Sequence, residues 1–131
     1  MNDTRHSLGN ALLNDPGVQA LVGGRVYYTL GPDSAEMPYV VFQQQMESDQ
    51  WAFGGRIFQR TEWLVKALAT DLSDAEDVEA ATTTALDNAR FPMTSHVLIS
   101  CRRVGGVRYA ERDAGQTVWH QCGRYEILVS T

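Results

Sequence analysis

The chain has 131 residues, of which 44% are hydrophobic and 21% are charged. These values are typical of a globular domain that buries roughly two thirds of the surface exposed by its unfolded chain. Eleven lysines and arginines against sixteen acids give a net charge of -5, which argues against a protein that grips nucleic acid by neutralising phosphates. No run approaches the roughly 20 apolar residues of a membrane span, and the amino terminus lacks the pattern of a secretion signal, so we expect a cytoplasmic protein without membrane contact.

Two short helices are predicted before the first strand. The first has apolar residues at helical spacing from Leu8 to Leu12, with Asp3 or Thr4 available as its amino-terminal cap. The second starts at Asp15-Pro16, a cap followed by proline at the first helical position, and stops at Gly23-Gly24.

The next part of the chain predicts three strands and a polar loop. A strand near Val26 is followed by turn residues at positions 31–34 and by a second strand from Tyr39 to about Met46. Residues Glu47 to Arg56 are polar and contain glycine, which predicts a loop. A long strand then runs from about Ile57 to Ala69, with apolar side chains on one face.

One helix has a marked start. Ser73-Asp74-Ala75-Glu76 matches the capping-box pattern, in which a hydroxyl and a carboxylate satisfy each other's backbone amides. The periodicity predicts a helix from Ser73 to about Ala89 that buries Val78 and exposes Glu79.

Three strands are predicted to close the chain: Val97 to Arg103, Val107 to Arg112 and Thr117 to Ser130. The turns between them are assigned to Gly105-Gly106 and to Asp113–Gln116, and short turns predict antiparallel neighbours. We therefore predict one α+β domain over residues 1–131. It would have two layers, a largely antiparallel β-sheet with helices packed against it.

Candidate metal ligands are present but poorly arranged. His120 and Cys122 share a strand face, and His96 and Cys101 would complete a set of four zinc ligands. However, Cys101 shares its predicted face with Val97 and should point to the core, whereas Cys122 should point away. We predict no metal, cofactor or catalytic residue and expect both cysteines to remain thiols. A small metal-binding or enzymatic domain that uses the His120/Cys122 face is retained as the alternative.

An aromatic pair in the polar loop is the first candidate for function. Trp51 and Phe53 could cap the domain's own core or anchor a neighbouring subunit. The second candidate is the turn before the last strand. Our hypothetical interface residues are Trp51, Phe53, Arg56, Phe58, Asp113 and Gln116.

The order of several segments resembles a known family. Gly23-Gly24-Arg25-Val26-Tyr27-Tyr28 is followed by Met37-Pro38-Tyr39-Val40-Val41-Phe42, then by a long strand through Trp63 and by the helix from Asp74 to Ala89. From Leu8 to Leu128, this arrangement resembles the tail-completion, or tail-terminator-like, proteins of long-tailed bacteriophages.

The resemblance implies a structural virion protein without enzymatic activity. It implies a homo-oligomeric ring, a hexamer, that caps the head-proximal end of the tail tube and ends polymerisation of the tube. The implied partners are the tail tube protein and the head connector or stopper protein. DNA would pass through the ring without specific binding. The protein would be assembled in the host cytoplasm and would reside in the tail and neck of the virion. A monomeric neck adaptor is the remaining alternative.

Overall fold

A computed structural model describes residues 2–52 and 54–130 of the chain. Over these residues it contains three helices and five strands. In chain order they are α1 (Asn2–Asn14), α2 (Pro16–Val22), β1 (Val26–Tyr28), β2 (Tyr39–Ala52), β3 (Gly55–Ala69), α3 (Leu72–Leu86), β4 (Val97–Asp113) and β5 (Gln116–Ser130).

The five strands form one sheet in the order β1-β2-β3-β5-β4. The short β1 is parallel to β2, and every other neighbouring pair is antiparallel. Buried side chains of all three helices join those of the sheet in one core cluster, so the helices cover one face, which we call the helix face. The opposite face is called the second face. The predicted α+β, two-layer, largely antiparallel architecture is confirmed.

The core lies between the helices and the helix face. Trp63 is its largest fully buried side chain, and its indole nitrogen donates a hydrogen bond of 2.8 Å to the Thr61 hydroxyl. This bond matters because an unpaired indole N–H in an apolar core would lose stability. The same cluster contains Leu8, Leu12, Val18, Val22, Phe42, Val65, Val78, Leu86, Tyr125 and Ile127.

A smaller apolar cluster lies on the second face. Val41, Leu68 and Val118 are buried there, each on a different strand of the sheet. Tyr27 and Tyr39 pack against them, with ring centroids 5.6 Å apart in an edge-to-face arrangement. The sheet is therefore apolar on both sides near the start of β2.

The predicted cap of α2 is confirmed, whereas the predicted cap of α1 is wrong. In α2, Asp15 accepts a hydrogen bond of 3.0 Å from the amide of Val18, and Gly23 ends the helix at φ 59°, as predicted. The prediction that Asp3 or Thr4 caps α1 is wrong, because α1 already begins at Asn2. The Asp3 carboxylate instead accepts from distant backbone amides ahead of β4.

The capping box at Ser73 is also a wrong prediction. The Asp71 carboxylate accepts hydrogen bonds from the amides of Ser73 and Asp74, so α3 starts at Leu72. A charged carboxylate is the stronger acceptor, which explains why the cap lies upstream of the hydroxyl. The helix ends at Leu86 and not near Ala89.

Residues Glu47 to Arg56 do not form the predicted loop. Residues 47–52 continue β2, and Gly55 and Arg56 open β3 in a long hairpin, with positive φ angles of 97° at Gly54 and 128° at Gly55. Polar cross-strand pairs hold this part together, since Gln59 donates a hydrogen bond of 3.0 Å to Asp49. Pairing with a neighbouring strand outweighs the polar composition on which the loop prediction rested.

Gly105-Gly106 forms no turn. β4 continues through it as one strand of 17 residues, with a register shift between Arg103 and Gly105. Gly106 lies opposite Gly123, where a Cβ atom at Gly106 would stand 2.7 Å from the Arg103 guanidinium. A Cβ atom at Gly123 would stand 2.8 Å from the Tyr125 ring. The glycines thus make room for two large side chains, which explains their presence inside a strand.

Candidate assembly interface

The tip of the β2–β3 hairpin presents an aromatic side chain to solvent. Trp51 is 67% exposed and lies opposite Arg56 in the register of the hairpin. Exposure of this size means that Trp51 does not cap the core of its own domain. An exposed tryptophan near the end of a hairpin is the kind of side chain that anchors a partner.

Of the other three interface residues predicted near this tip, only Phe58 has a side chain that the structure describes. Phe53 and the side chain of Arg56 lie outside the described residues. Phe58 is half-buried and lies opposite Ser130 of β5. The structure therefore places Trp51 and Phe58 on the same part of the hairpin and leaves their role in an interface a prediction.

The second predicted contact region is the β4–β5 turn, which is confirmed as a turn. Asp113 and Gln116 are exposed and lie opposite each other. Ala114 and Gly115, the two residues between them, have positive φ angles of 50° and 83°. This conformation is that of a tight hairpin turn, so the polar tip is held rigidly by the two strands.

The two predicted contact regions lie at opposite ends of the sheet. At one end, β5 finishes at Ser130 between Phe58 of β3 and Val97 of β4, close to the β2–β3 tip. At the other end, Ala69 of β3 lies opposite Trp119 of β5, close to the β4–β5 turn. A strand of 15 residues such as β3 spans roughly 45 Å, so the two regions cannot form one continuous site.

An apolar surface along β4 was not predicted from the sequence. Val97 is 68% exposed, and Ile99, Val104, Val107 and Tyr109 are also exposed. The signal was present as five large apolar residues within 13 positions. It was obscured because the Gly105-Gly106 pair suggested two short strands whose apolar residues would face a core.

An ion cluster around a buried carboxylate joins α3 to the sheet. Glu79 is only 7% exposed, although its exposure was predicted, and it accepts hydrogen bonds from Arg103 at 2.9 Å and from Arg108 at 3.0 Å. Arg108 also donates to Gln121 at 2.8 Å. Burial of this carboxylate is possible because two guanidinium groups replace its hydration.

The second face carries three arginine–carboxylate pairs across strands. Glu126 of β5 accepts from Arg60 of β3 at 2.9 Å and from Arg102 of β4 at 3.1 Å. Arg124 of β5 donates to Glu62 of β3 at 2.9 Å. These pairs connect β3, β5 and β4 on the face that the helices leave uncovered.

The candidate zinc ligands do not come together. His96 lies ahead of β4, with its Nδ1 atom 3.0 Å from Asp3, and Cys101 belongs to the core cluster on the helix face. His120 is stacked on Tyr109, with centroids 4.3 Å apart, and its Nε2 atom lies 2.7 Å from Glu111. Within residues 2–52 and 54–130, no group of three or more His, Cys, Asp or Glu side chains could hold a metal ion.

Both thiols are buried, and this determines their chemistry. Burial, with a contribution from the Asp87 carboxylate, raises the pKa of Cys101 to about 12. Burial also raises the pKa of Cys122 to about 11. Neither group is a thiolate near neutral pH, so neither has the reactivity of a catalytic cysteine. Among the helices described here, none is long and apolar enough to cross a bilayer.

Comparison with protein families gives a match over almost the whole chain. The family model of tail completion protein gp17 matches residues 7–130. The chain belongs to this tail completion family. A search of curated protein sequences finds no match.

Solved structures share the fold of this tail completion protein. A chain from the virion of a native gene transfer agent particle superposes with a TM-score of 0.86 and 17% identity, over 99% of this chain and 96% of that chain. A second solved chain has a TM-score of 0.61 and 12% identity, over 96% of this chain and 94% of that chain. At these identities the likeness establishes the fold.

Membership in the tail completion family establishes the general role of the protein. It is a structural component of the bacteriophage virion and is located in the tail and neck region. The resemblance stated from the sequence is therefore confirmed at the level of family, fold and location.

Proposed function

We propose that this tail completion protein forms a ring, a hexamer, at the head-proximal end of the tail tube. The ring ends polymerisation of the tube and presents its other side to the head connector or stopper protein. In this arrangement the strands run along the ring axis, so that the two ends of the sheet become the two rims of the ring.

The observation that carries the proposal is the chemical difference between the two ends of the sheet. The β2–β3 end exposes Trp51 and Val97, which are apolar, whereas the β4–β5 end exposes Asp113 and Gln116. Each ring of tube subunits presents to the next ring the same kind of surface to which it is itself bound. Growth of the tube can therefore continue. A capping ring with unlike ends can bind the last tube ring and offer nothing to which another tube ring binds.

The charge of the chain supports passage of DNA without specific binding. A net charge of -5 repels a polyanion, and a protein that holds DNA neutralises phosphates with surplus lysines and arginines. The partners in this proposal are further copies of the chain, the tail tube protein and the head connector or stopper protein. No cofactor and no catalytic residue takes part.

Light scattering and electron microscopy test the proposal. Purified protein is measured alone and after mixing with the tail tube protein of the same genome. A ring-sized species, or tubes of limited length with the protein at one end, supports tail termination. A monomer that leaves the length of the tubes unchanged overturns it and favours the monomeric neck adaptor. Metal found by elemental analysis would instead favour the domain built around His120 and Cys122.

A further inference from the structure

β4 is an unusually long and apolar sheet edge. It has 17 residues, pairs with β5 on one side, and has no strand on its other side in the part of the chain that the structure describes. Exposed edge strands are usually short or protected by charges, since their unpaired backbone groups attract other strands. The register shifts at Leu98/Ser100 and Arg103/Gly105 leave Ile99 and Val104 without partners on β5, and both side chains are exposed.

A second uncovered edge lies on the other side of the sheet. β1 has three residues and pairs with β2 only as far as Phe42. From Gln43 to Ala52, no strand of the described residues covers the outer edge of β2. Met46 and Trp51 are exposed along this segment.

Exposed apolar side chains are concentrated on these two strands. Of the eleven large apolar side chains that are exposed among the described residues, five lie on β4 and two on the uncovered part of β2. The remaining four are distributed over the helices, β1 and the loop after it. The two edges, on opposite sides of the sheet, therefore carry seven of the eleven exposed large apolar side chains of the described residues.

We propose that β4 of one copy pairs with the Gln43–Ala52 segment of β2 of the next copy, so that the sheet continues from subunit to subunit. This inference rests on the proposed ring and names the contact that closes it. The occupant of the β4 edge is thus a second copy of this chain.

The strand directions fit this pairing. From β2 through β3 and β5 to β4 every neighbour is antiparallel, so β4 runs opposite to β2. If the copies are related by rotation about an axis along the strands, β2 of the next copy arrives antiparallel to β4. The alternation of the sheet then continues without interruption across the subunit boundary.

The charges of the two edges are complementary. β4 carries four arginines against Glu111 and Asp113, a surplus of two positive charges. β2 carries Glu47 and Asp49 and has no lysine or arginine. Within the subunit two carboxylates offset part of this surplus, and each is shared between two arginines: Arg103 and Arg108 share Glu79, and Arg102 shares Glu126 with Arg60 of β3. On a chain of net charge -5, this local positive edge favours the acidic edge of a second copy.

The symmetry of this contact explains why it gives a ring. Two different edges meet, so the interface is heterologous and each copy uses both edges. Such contacts close into a ring when the rotation between copies is a whole fraction of a turn. Closure also pairs the two uncovered edge segments that attract other strands.

Two variants, each of which changes the charge of one edge, test the pairing. Ile99→Glu with Val104→Glu places carboxylates on β4 that face the acids of β2, and Met46→Lys with Glu47→Lys places ammonium groups on β2 that face the arginines of β4. All four side chains are exposed, so both variants should fold. Leu21→Lys and Leu72→Lys are matched controls at exposed apolar positions on the helices α2 and α3.

Association is measured by light scattering with the tail tube protein of the same genome present throughout, and folding is checked by circular dichroism. We expect each edge variant alone to associate roughly tenfold or more weakly than wild type, whereas the controls assemble normally. An equimolar mixture of the two edge variants should associate again as alternating copies, because the intact β4 of one meets the intact β2 of the other and, at every second interface, the new glutamates of β4 meet the new lysines of β2.

The remaining outcomes overturn the inference. Edge variants that form normal rings, or a mixture that stays monomeric, exclude β4–β2 pairing and leave the proposed ring intact. A wild-type protein that forms no ring on the tube refutes the proposed function and this inference with it. The two failures are therefore distinguishable.

Discussion

Arg103 of β4 donates a hydrogen bond of 2.9 Å to the Glu79 carboxylate of α3, and this contact joins the helix layer to the outer strand of the sheet. Glu79 is buried, and Arg108 shares the same carboxylate oxygen at 3.0 Å. The pair holds α3 over the segment of β4 that contains the second register shift. It therefore supports the shape of the long edge strand as well as the packing of the helix.

Removal of the Glu79 carboxylate should destabilise the protein. Glu79→Ala leaves Arg103 beneath the helix without its counter-charge, and we expect the free energy of unfolding to fall by about 2–4 kcal/mol in urea denaturation. Glu76→Ala, at an exposed position of the same helix, is the control and should cost less than about 0.5 kcal/mol. Equal losses in the two variants would contradict the assigned role of Glu79.

Gly123→Ala should disturb the core on the helix face. The added Cβ atom would stand 2.8 Å from the buried Tyr125 ring, which must shift, and we expect a loss of about 1–3 kcal/mol in the free energy of unfolding. Gly24→Ala is the control, because nothing lies within 4 Å of the Cβ atom at that position. A thermal midpoint of Gly123→Ala equal to that of Gly24→Ala would show that the ring has room to move.

The two thiols should resist modification in the folded protein. With the pKa of Cys101 raised to about 12 and that of Cys122 to about 11, we expect Ellman's reagent at pH 8 to react about a hundredfold or more slowly than with the unfolded chain. The measurement is made in buffer and again in guanidinium chloride. Rapid reaction of either thiol in buffer would mean that its strand opens frequently.

Asp3 should contribute stability that depends on pH. His96, with the amides of Ser95 and Thr94, lowers the pKa of Asp3 from 3.8 to about 2. Because the folded pKa is the lower one, this stabilisation is complete above about pH 4 and is lost as the pH falls through about 2. The difference in unfolding free energy between wild type and Asp3→Asn should therefore be constant from pH 6 to pH 4 and shrink below it.

The control for this measurement is Asp33→Asn, which changes an exposed carboxylate in the loop before β2. It should leave the unfolding free energy nearly unchanged at every pH. A difference for Asp3→Asn that stays constant down to pH 2 would refute the stabilising role of the Asp3 carboxylate.

Trp51→Ala should separate assembly from folding. Because Trp51 is 67% exposed, we expect the free energy of unfolding to change by less than about 0.5 kcal/mol. Self-association and tube binding should weaken clearly, by light scattering and co-sedimentation with tubes, as should those of Phe53→Ala. Leu72→Ala at the start of α3 is the control. Unchanged assembly of both tip variants would remove the β2–β3 tip from the interface.

Much of the architecture could be predicted from local signals. Asp15-Pro16 and Gly23 fixed the bounds of α2, because caps act on the backbone of their immediate neighbours. The turn between Asp113 and Gln116 was equally local. Both predictions depended on few residues and needed no information about distant parts of the chain.

The errors occurred where distant residues decide the structure. Gly105-Gly106 is typical of a turn, yet the pair lies inside β4 opposite Arg124 and Gly123 of β5, and Gly106 leaves room for the Arg103 side chain. Glu79 has the sequence context of an exposed helix residue, and only the two arginines of β4 make its burial possible. The same reason applies to the candidate interface, since an exposed edge is a property of the sheet order and not of β4 alone.

The placement of Cys101 and Cys122 has a consequence for the life of a virion outside its host. Cys101 lies opposite Ile127, and Ile127 and Cys122 are five residues apart on β5, so the two sulfur atoms are on opposite sides of the sheet. The backbone of the sheet separates them, and a disulfide bond cannot form between them while the sheet is intact. A particle that leaves a reducing cell for air therefore gains no disulfide bond between these two cysteines in the folded protein.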